Sequence, residues 1–221
     1  MSDRRYDWVF LDMDGTLADS LPVLYDVYAA FLARYGKPPT RSEFERLNGP
    51  ALLEIVTALK DAHDLTETTG NLMEQYTKLL MDRRAHGAGT VSGAVELIQT
   101  LGKREFRLML VTSSPAEIAT RFIERHGWDD CFEAIVSGEQ VSKAKPDPAI
   151  YRQALAEAAV PSDRVVVVED AVNGVRSAIG AGLAVAAVAC NQAAQDLTAA
   201  GAQWVVPDLH ALRARVEAGC W

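Results

Sequence analysis

The period of the apolar positions changes along this chain. Trp8-Val9-Phe10-Leu11 is a short apolar run that ends in carboxylates and Gly15, the pattern of a buried strand feeding a turn. From Leu21 to about His86 the apolar residues recur at helical spacing, as in Leu24, Val27, Tyr28, Phe31 and Leu32, and again in Leu52, Ile55, Val56 and Leu59. Breakers fall at Gly36-Lys37-Pro38-Pro39, Asn48-Gly49-Pro50 and Gly70, so this stretch is predicted to be all-helical. The segment His86-Gly87-Ala88-Gly89-Thr90 reads as a hinge.

Beyond the hinge, strands and helices alternate. Strands are expected at Arg107 to Val111, Ala134 to Val136, Ala184 to Val188 and Trp204 to Val206. Helices are expected from about Pro115 and near Pro148, with Asp147 as N-cap and Pro148 in the first turn. Val165-Val166-Val167-Val168 is apolar on both faces, the mark of a central parallel strand, and Gly180-Ala181-Gly182 ends the helix after it. Such alternation implies an α/β fold with a doubly wound, Rossmann-like parallel sheet. The expected division is a core over residues 1–20 and 89–221, interrupted by an inserted all-helical cap over 21–88.

Bulk properties narrow the partners. The 221 residues suffice for one α/β domain and a small accessory unit. A net charge of -8 with no basic run argues against nucleic acid or an anionic membrane. Neither a signal peptide nor a membrane-length apolar run is visible, so a cytoplasmic location is expected. Cys131, Cys190 and Cys220 are odd in number and far apart, which suggests buried or incidental thiols rather than a disulfide framework. The four histidines lack metal-ligand spacing. No heptad is strong enough to specify an oligomer, which leaves a monomer or a weak homodimer.

The chemistry gathers where the strands end. In open parallel sheets, ligands sit at the carboxyl ends of the strands. The first strand ends in Asp12 and Asp14, and the strand through Val111 ends in Thr112, Ser113 and Ser114. Lys145-Pro146-Asp147-Pro148 follows the short third strand, and the valine strand ends in Glu169 and Asp170. Singly, each has a plain reading: a turn at Asp-Gly, a helix cap at Thr-Ser-Ser, a solvated loop lysine. Together they place several carboxylates in one crevice. Two like charges about 4 Å apart repel by roughly 4 kcal/mol at an effective dielectric near 20, so a bridging cation is required unless protons take its place. Hard oxygen ligands beside a phosphate favour Mg²⁺. Thr112 and Lys145 would then be donors to phosphate oxygens.

These residues resemble the haloacid dehalogenase superfamily in its phosphatase branch, over essentially the whole chain. Asp12-Met13-Asp14-Gly15-Thr16 is similar to its first motif, Val111-Thr112-Ser113-Ser114 to the second, Lys145-Pro146-Asp147-Pro148 to the third, and Val165 to Gly182 to the fourth. The helical insert is similar to the family's cap between the first two motifs. Within the branch, the likeness is to β-phosphoglucomutase-like and phosphoglycolate phosphatase-like members. The resemblance implies Asp12 as nucleophile, forming an aspartyl-phosphate, and Asp14 as general acid and then base. It implies Mg²⁺ on the Asp12 carboxylate, the Asp14 main-chain carbonyl and Asp170, with Glu169 near or one layer out. It gives the phosphoryl group to Thr112, Ser113 and Lys145, with backbone N–H groups from Gly15 and Thr16. It also implies that Asn173 braces the acidic turn and that the Lys145-Pro146 peptide is cis.

Departures from the family pattern sharpen the reaction. Dehalogenases lack the second aspartate, so Asp14 favours phosphoryl transfer. The places where a β-phosphoglucomutase carries a histidine and an arginine hold Leu24 and Leu52, which favours a hydrolase over a mutase. Glu169-Asp170-Ala171 resembles the sugar-phosphatase side more than strict phosphoglycolate phosphatases. The expected partner is thus a small phosphate ester, of a sugar or an organic acid, with phosphoglycolate phosphatase as the alternative. Asn48 and Gly49 are candidate substrate readers in the cap, and Arg83 and Arg84 are either anion contacts or solvated helix-end charges. A phospho-receiver domain also gathers acids, a hydroxyl and a lysine, but it is shorter and has no cap. A catalytically dead scaffold is the third reading, against which all the motif residues are intact.

Overall fold

The computed structural model describes residues 5–47, 50, 52–84 and 88–220; Asn48, Gly49, His86 and Gly87 lie outside them. Its centre is a six-stranded parallel sheet built from β1 (Trp8–Leu11), β4 (Arg107–Thr112), β5 (Ala134–Ser137), β6 (Val165–Glu169), β7 (Ala184–Val188) and β8 (Trp204–Val206), in the order β5-β4-β1-β6-β7-β8. All neighbours are parallel, with Trp8 opposite Arg107 on one side and Val165 on the other. The order reverses direction at β1, between β4 and β6, so the crevice of the sheet opens where β1 ends.

The double-faced apolar strands explain this arrangement. Successive side chains point to opposite faces of a strand. Val9 and Leu11 join Val166 and Val168 in one core, while Trp8 and Phe10 join Val165 and Val167 in the other. Both cores are covered by helices: α5 (Ala94–Lys103), α6 (Ala116–Arg125) and α10 (Leu209–Glu217) on the first, α7 (Ala149–Ala158), α8 (Val172–Gly180) and α9 (Ala194–Ala199) on the second. The expected strands and helices are present, most within a residue of their predicted limits. Asp147 accepts the Ala149 N–H at 3.0 Å, but the N-cap of α7 is Pro148, so the helix starts one residue later than expected and Asp147 stands just outside the cap.

Among the described residues, four helices stand between β1 and α5: α1 (Leu21–Ala33), α2 (Arg41–Arg46), α3 (Leu52–Ala62) and α4 (Thr69–Arg84). Val27, Phe31, Leu59 and Leu72 are fully buried and belong to the same apolar cluster as Val9 and Leu11. Where the sequence suggested only a hinge, Gly89–Thr90 forms a short strand, β3, antiparallel to β2 (Ala18–Asp19). The chain thus leaves and re-enters the sheet domain through one two-stranded ribbon. Among the described residues, no helix is long and apolar enough to cross a membrane.

Candidate active site

The turn after β1 is held by its own backbone. Leu17 and Ala18 N–H groups both donate to the Met13 carbonyl, at 3.0 and 2.8 Å, and the Gly15 N–H donates to the Ala18 carbonyl at 2.9 Å. Gly15 lies at φ +88°, a region that glycine enters without steric penalty. Its N–H is therefore engaged within the turn, which corrects the expectation that it points at a phosphate. The Thr16 side chain is also committed, donating to Asp170 Oδ1 at 3.1 Å.

Asp12 follows directly, its N–H completing the ladder to the Val168 carbonyl at 3.0 Å. Lys145 Nζ lies 2.7 Å from Asp12 Oδ1, 2.7 Å from Glu169 Oε1 and 3.2 Å from the Val111 carbonyl. Asp12, Lys145, Glu169 and Asp170 are all buried. The peptide before Pro146 is cis, as expected. Carboxylate oxygens of Asp12, Glu169 and Asp170 all fall within 4.8 Å of one another. Three carboxylates against one ammonium leave a net deficit of positive charge in a dry crevice. Burial pushes the Asp12 carboxyl well up, and Glu169 adds to this, with Lys145 opposing. Burial and the Glu169 charge lift Asp170 to about 7. Burial alone would lower Lys145, but Asp12 and Glu169 outweigh it and hold the ammonium well above its ordinary range. The donor set is oxygen-only, buried and short of positive charge, so it suits a hard divalent cation.

Glu169 is the most saturated member of the set. Its Oε1 accepts from Lys145 and from the Tyr151 hydroxyl at 2.9 Å, and its Oε2 from the Asp170 and Ala171 N–H groups at 3.2 and 3.4 Å. Gly174 in α8 makes room for it, since a Cβ there would stand 1.9 Å from Glu169 Oε1. Asp14 accepts from Ser20 Oγ and Ser114 Oγ, each at 2.5 Å, which ties the acidic turn to the end of β4. Thr112 Oγ1 accepts the Ser114 N–H at 3.0 Å. A cavity of about 90 Å³ opens above these groups, and Asp12, Asp14, Thr112, Ser113, Lys145 and Asp170 all line it.

Ser20, Tyr151 and Asn191 escaped the sequence reading. Tyr151 is an ordinary-looking helix residue whose ring lies 5.2 Å from Lys145 Nζ. Asn191, after β7, donates to Asp170 Oδ2 at 2.9 Å and to the Gly15 carbonyl at 3.1 Å, so it braces the acidic turn. Asn191 did stand at the end of a predicted strand, and that position was its one available signal. The cap candidates Asn48 and Gly49 lie outside the described residues. Arg83 is paired with Asp26 at 3.9 Å and does not line the cavity. The three cysteines are free and exposed rather than buried. Cys190 reaches solvent but is partly hemmed in, and this loss of water, followed by the Asp170 charge, pushes its thiol up to about 11, which disfavours the thiolate near neutral pH.

Comparison with known proteins gives concordant results. A family model described as "Haloacid dehalogenase-like hydrolase" matches residues 9–188. A phosphorylated carbohydrates phosphatase of Thermotoga maritima is 30% identical over 183 residues, covering 79% of this chain and 81% of that protein. A phosphoglycolate phosphatase of Rhodospirillum rubrum is 29% identical, covering 92% and 88%. The crystal structure of a hydrolase from Pseudomonas syringae superposes with a TM-score of 0.84 at 24% identity, over 96% of this chain and 98% of that one.

Proposed function

The chain belongs to the haloacid dehalogenase-like hydrolase family, and from that premise we propose that it is a Mg²⁺-dependent phosphatase that works through an aspartyl-phosphate on Asp12. Its substrates are phosphorylated small metabolites, as the names of its relatives indicate. One observation carries the reading: Asp12 is buried at the switch point of the sheet, 2.7 Å from Lys145 and grouped with Glu169 and Asp170, under a cavity.

An Asp12 carboxylate oxygen attacks phosphorus, the bond from phosphorus to the alcohol oxygen breaks, and Asp14 gives its proton to that oxygen. Water then attacks the same phosphorus. The bond to Asp12 breaks, Asp14 takes the proton from water, and inorganic phosphate leaves. The sum is ester plus water giving alcohol plus phosphate. Ser20 and Ser114 suit Asp14 to both roles, because a hydroxyl donates to a carboxylate and accepts from a carboxylic acid. Lys145 orients Asp12 and offers positive charge to the phosphoryl oxygens, with Thr112 and Ser113 as hydroxyl partners beside it. Asp12, Asp170 and the Asp14 main-chain carbonyl would hold Mg²⁺, which when bound supplies the charge that lets a carboxylate approach a phosphate dianion. Glu169, already fully hydrogen-bonded, fits one layer out, where it orients Lys145.

Residues 21–88 act as the cap that covers the crevice and meets the leaving group. Hydrolysis is favoured over a mutase reaction because Leu24 and Leu52 line the cavity, and neither moves a proton or binds a second phosphate. Asp12→Asn is expected to lower turnover of a phosphate ester by about 10³-fold or more. EDTA should remove activity and added Mg²⁺ restore it. Full turnover in EDTA, or in Asp12→Asn, would sink the mechanism.

A further inference from the structure

The cavity above Asp12 has walls of opposite character. The sheet side is ionic and hydroxylic, as described above. The helical side is hydrocarbon: Leu24 from α1, Phe44 and Leu47 from α2 and its end, Leu52 and Ile55 from α3, and Leu80 from α4. Pro50 and Tyr76 complete it, so among the described residues this wall has no charged group and a single side-chain hydroxyl. Leu24, Phe44, Leu47, Leu52 and Ile55 are each only partly buried, which leaves their apolar surface open to the cavity.

We propose that this wall selects phosphomonoesters whose leaving alcohol presents a compact apolar face, alkyl or aryl, over esters of sugars or hydroxy acids. The inference rests on the phosphatase reading of the same site. The Asp12 chemistry fixes where the phosphoryl group sits, so the leaving group must project toward the four helices. A polyol held there would give up water hydrogen bonds and find hardly any replacement. Among the described residues, a leaving group with a second anion would meet no cation on this side: Lys145 is bridged between Asp12 and Glu169, and Arg83 is outside the cavity. An apolar group, by contrast, displaces water from leucine and phenylalanine surface. Relatives named for carbohydrate and glycolate phosphates therefore share the reaction but not the wall-facing half of the substrate.

The test is kcat/KM with Mg²⁺ across methyl, butyl, hexyl and phenyl phosphate, glucose 6-phosphate and 2-phosphoglycolate. We expect a rise of about fourfold per methylene from methyl to butyl. Butyl and phenyl phosphate should exceed both polar esters by about tenfold or more. Leu52→Asn should lower the butyl-to-methyl ratio by about tenfold, a comparison internal to the variant and so independent of its folded fraction. A flat alkyl series, or glucose 6-phosphate or 2-phosphoglycolate ahead of the alkyl esters, overturns the selectivity while leaving the phosphatase intact. No hydrolysis of any ester, methyl phosphate included, overturns the phosphatase reading and the selectivity with it.

Discussion

A Cβ placed on Gly15 would stand 2.4 Å from Asp170 Oδ2, so the left-handed turn and the acidic pair of β6 are built as one object. Gly15→Ala adds a backbone penalty of about 1 kcal/mol to that collision. It is expected to lower the melting temperature and to weaken Mg²⁺ binding by about tenfold or more, since ligand-supporting changes commonly do so. Isothermal titration would detect this, and an unchanged Mg²⁺ affinity would mean that the turn does not position Asp170. Tyr151→Phe is gentler. The ring stays beside Lys145, but Glu169 loses a buried donor, and the expected loss is about 1–2 kcal/mol in urea unfolding. Lys145 and Asp170 were legible in the sequence because each lies in the segment after a predicted strand. Tyr151 was not, because nothing in its neighbours distinguishes it from a helix residue facing an apolar core. Its role exists only because β6 brings Glu169 under α7.

At the scale of elements, helix α6 shows how a local signal can be redirected. Thr112-Ser113-Ser114 before Pro115 reads as a possible N-cap cluster, yet the side chain that caps α6 comes from another part of the chain. Glu139 Oε2 accepts the Ala116 N–H at 3.0 Å, while the Ser114 hydroxyl turns to Asp14. Glu139→Ala should therefore destabilise by about 0.5–1 kcal/mol, combining a lost cap with lost charge at a helix N-terminus. A urea midpoint equal to wild type would show the contact to be inert. The β2–β3 ribbon has a related origin. Two residues of each strand are too few for a periodic signal, and Gly89–Thr90 becomes a strand only because Ala18–Asp19 runs alongside.

For the whole molecule, the governing quantity is the charge balance of the crevice. With its carboxyl lifted to about 7, Asp170 keeps its proton in the folded chain at pH values where the unfolded chain has released it. The folded state thus binds more protons than the unfolded state between about pH 4 and 7, and stability without metal falls across that window as pH rises. Asp12, also raised, acts in the same direction. A cation that binds the ionised carboxylates relieves this loss, so the rise in melting temperature on adding Mg²⁺ should be roughly twofold larger or more at pH 8 than at pH 5.5. Thermal scans with and without the metal would reveal the dependence. A Mg²⁺ shift that ignores pH would mean that these carboxylates do not take the ion.

The sequence by itself determined the parallel sheet, the helical insert and the acidic strand ends. Those features rest on periodicity and on residue types that need partners, and both are written locally in the chain. Only the tertiary structure decided which partners they took. Asn191 reaches Gly15 across 176 positions of sequence separation, and Lys145 reaches Asp12 across 133. The same applies to the hydrocarbon wall: Leu24 and Leu52 each read as part of a helix's apolar stripe. The partial exposure of Leu24 and Leu52 to the Asp12 crevice comes from how α1 and α3 pack over the ends of the strands, and no local pattern encodes that packing.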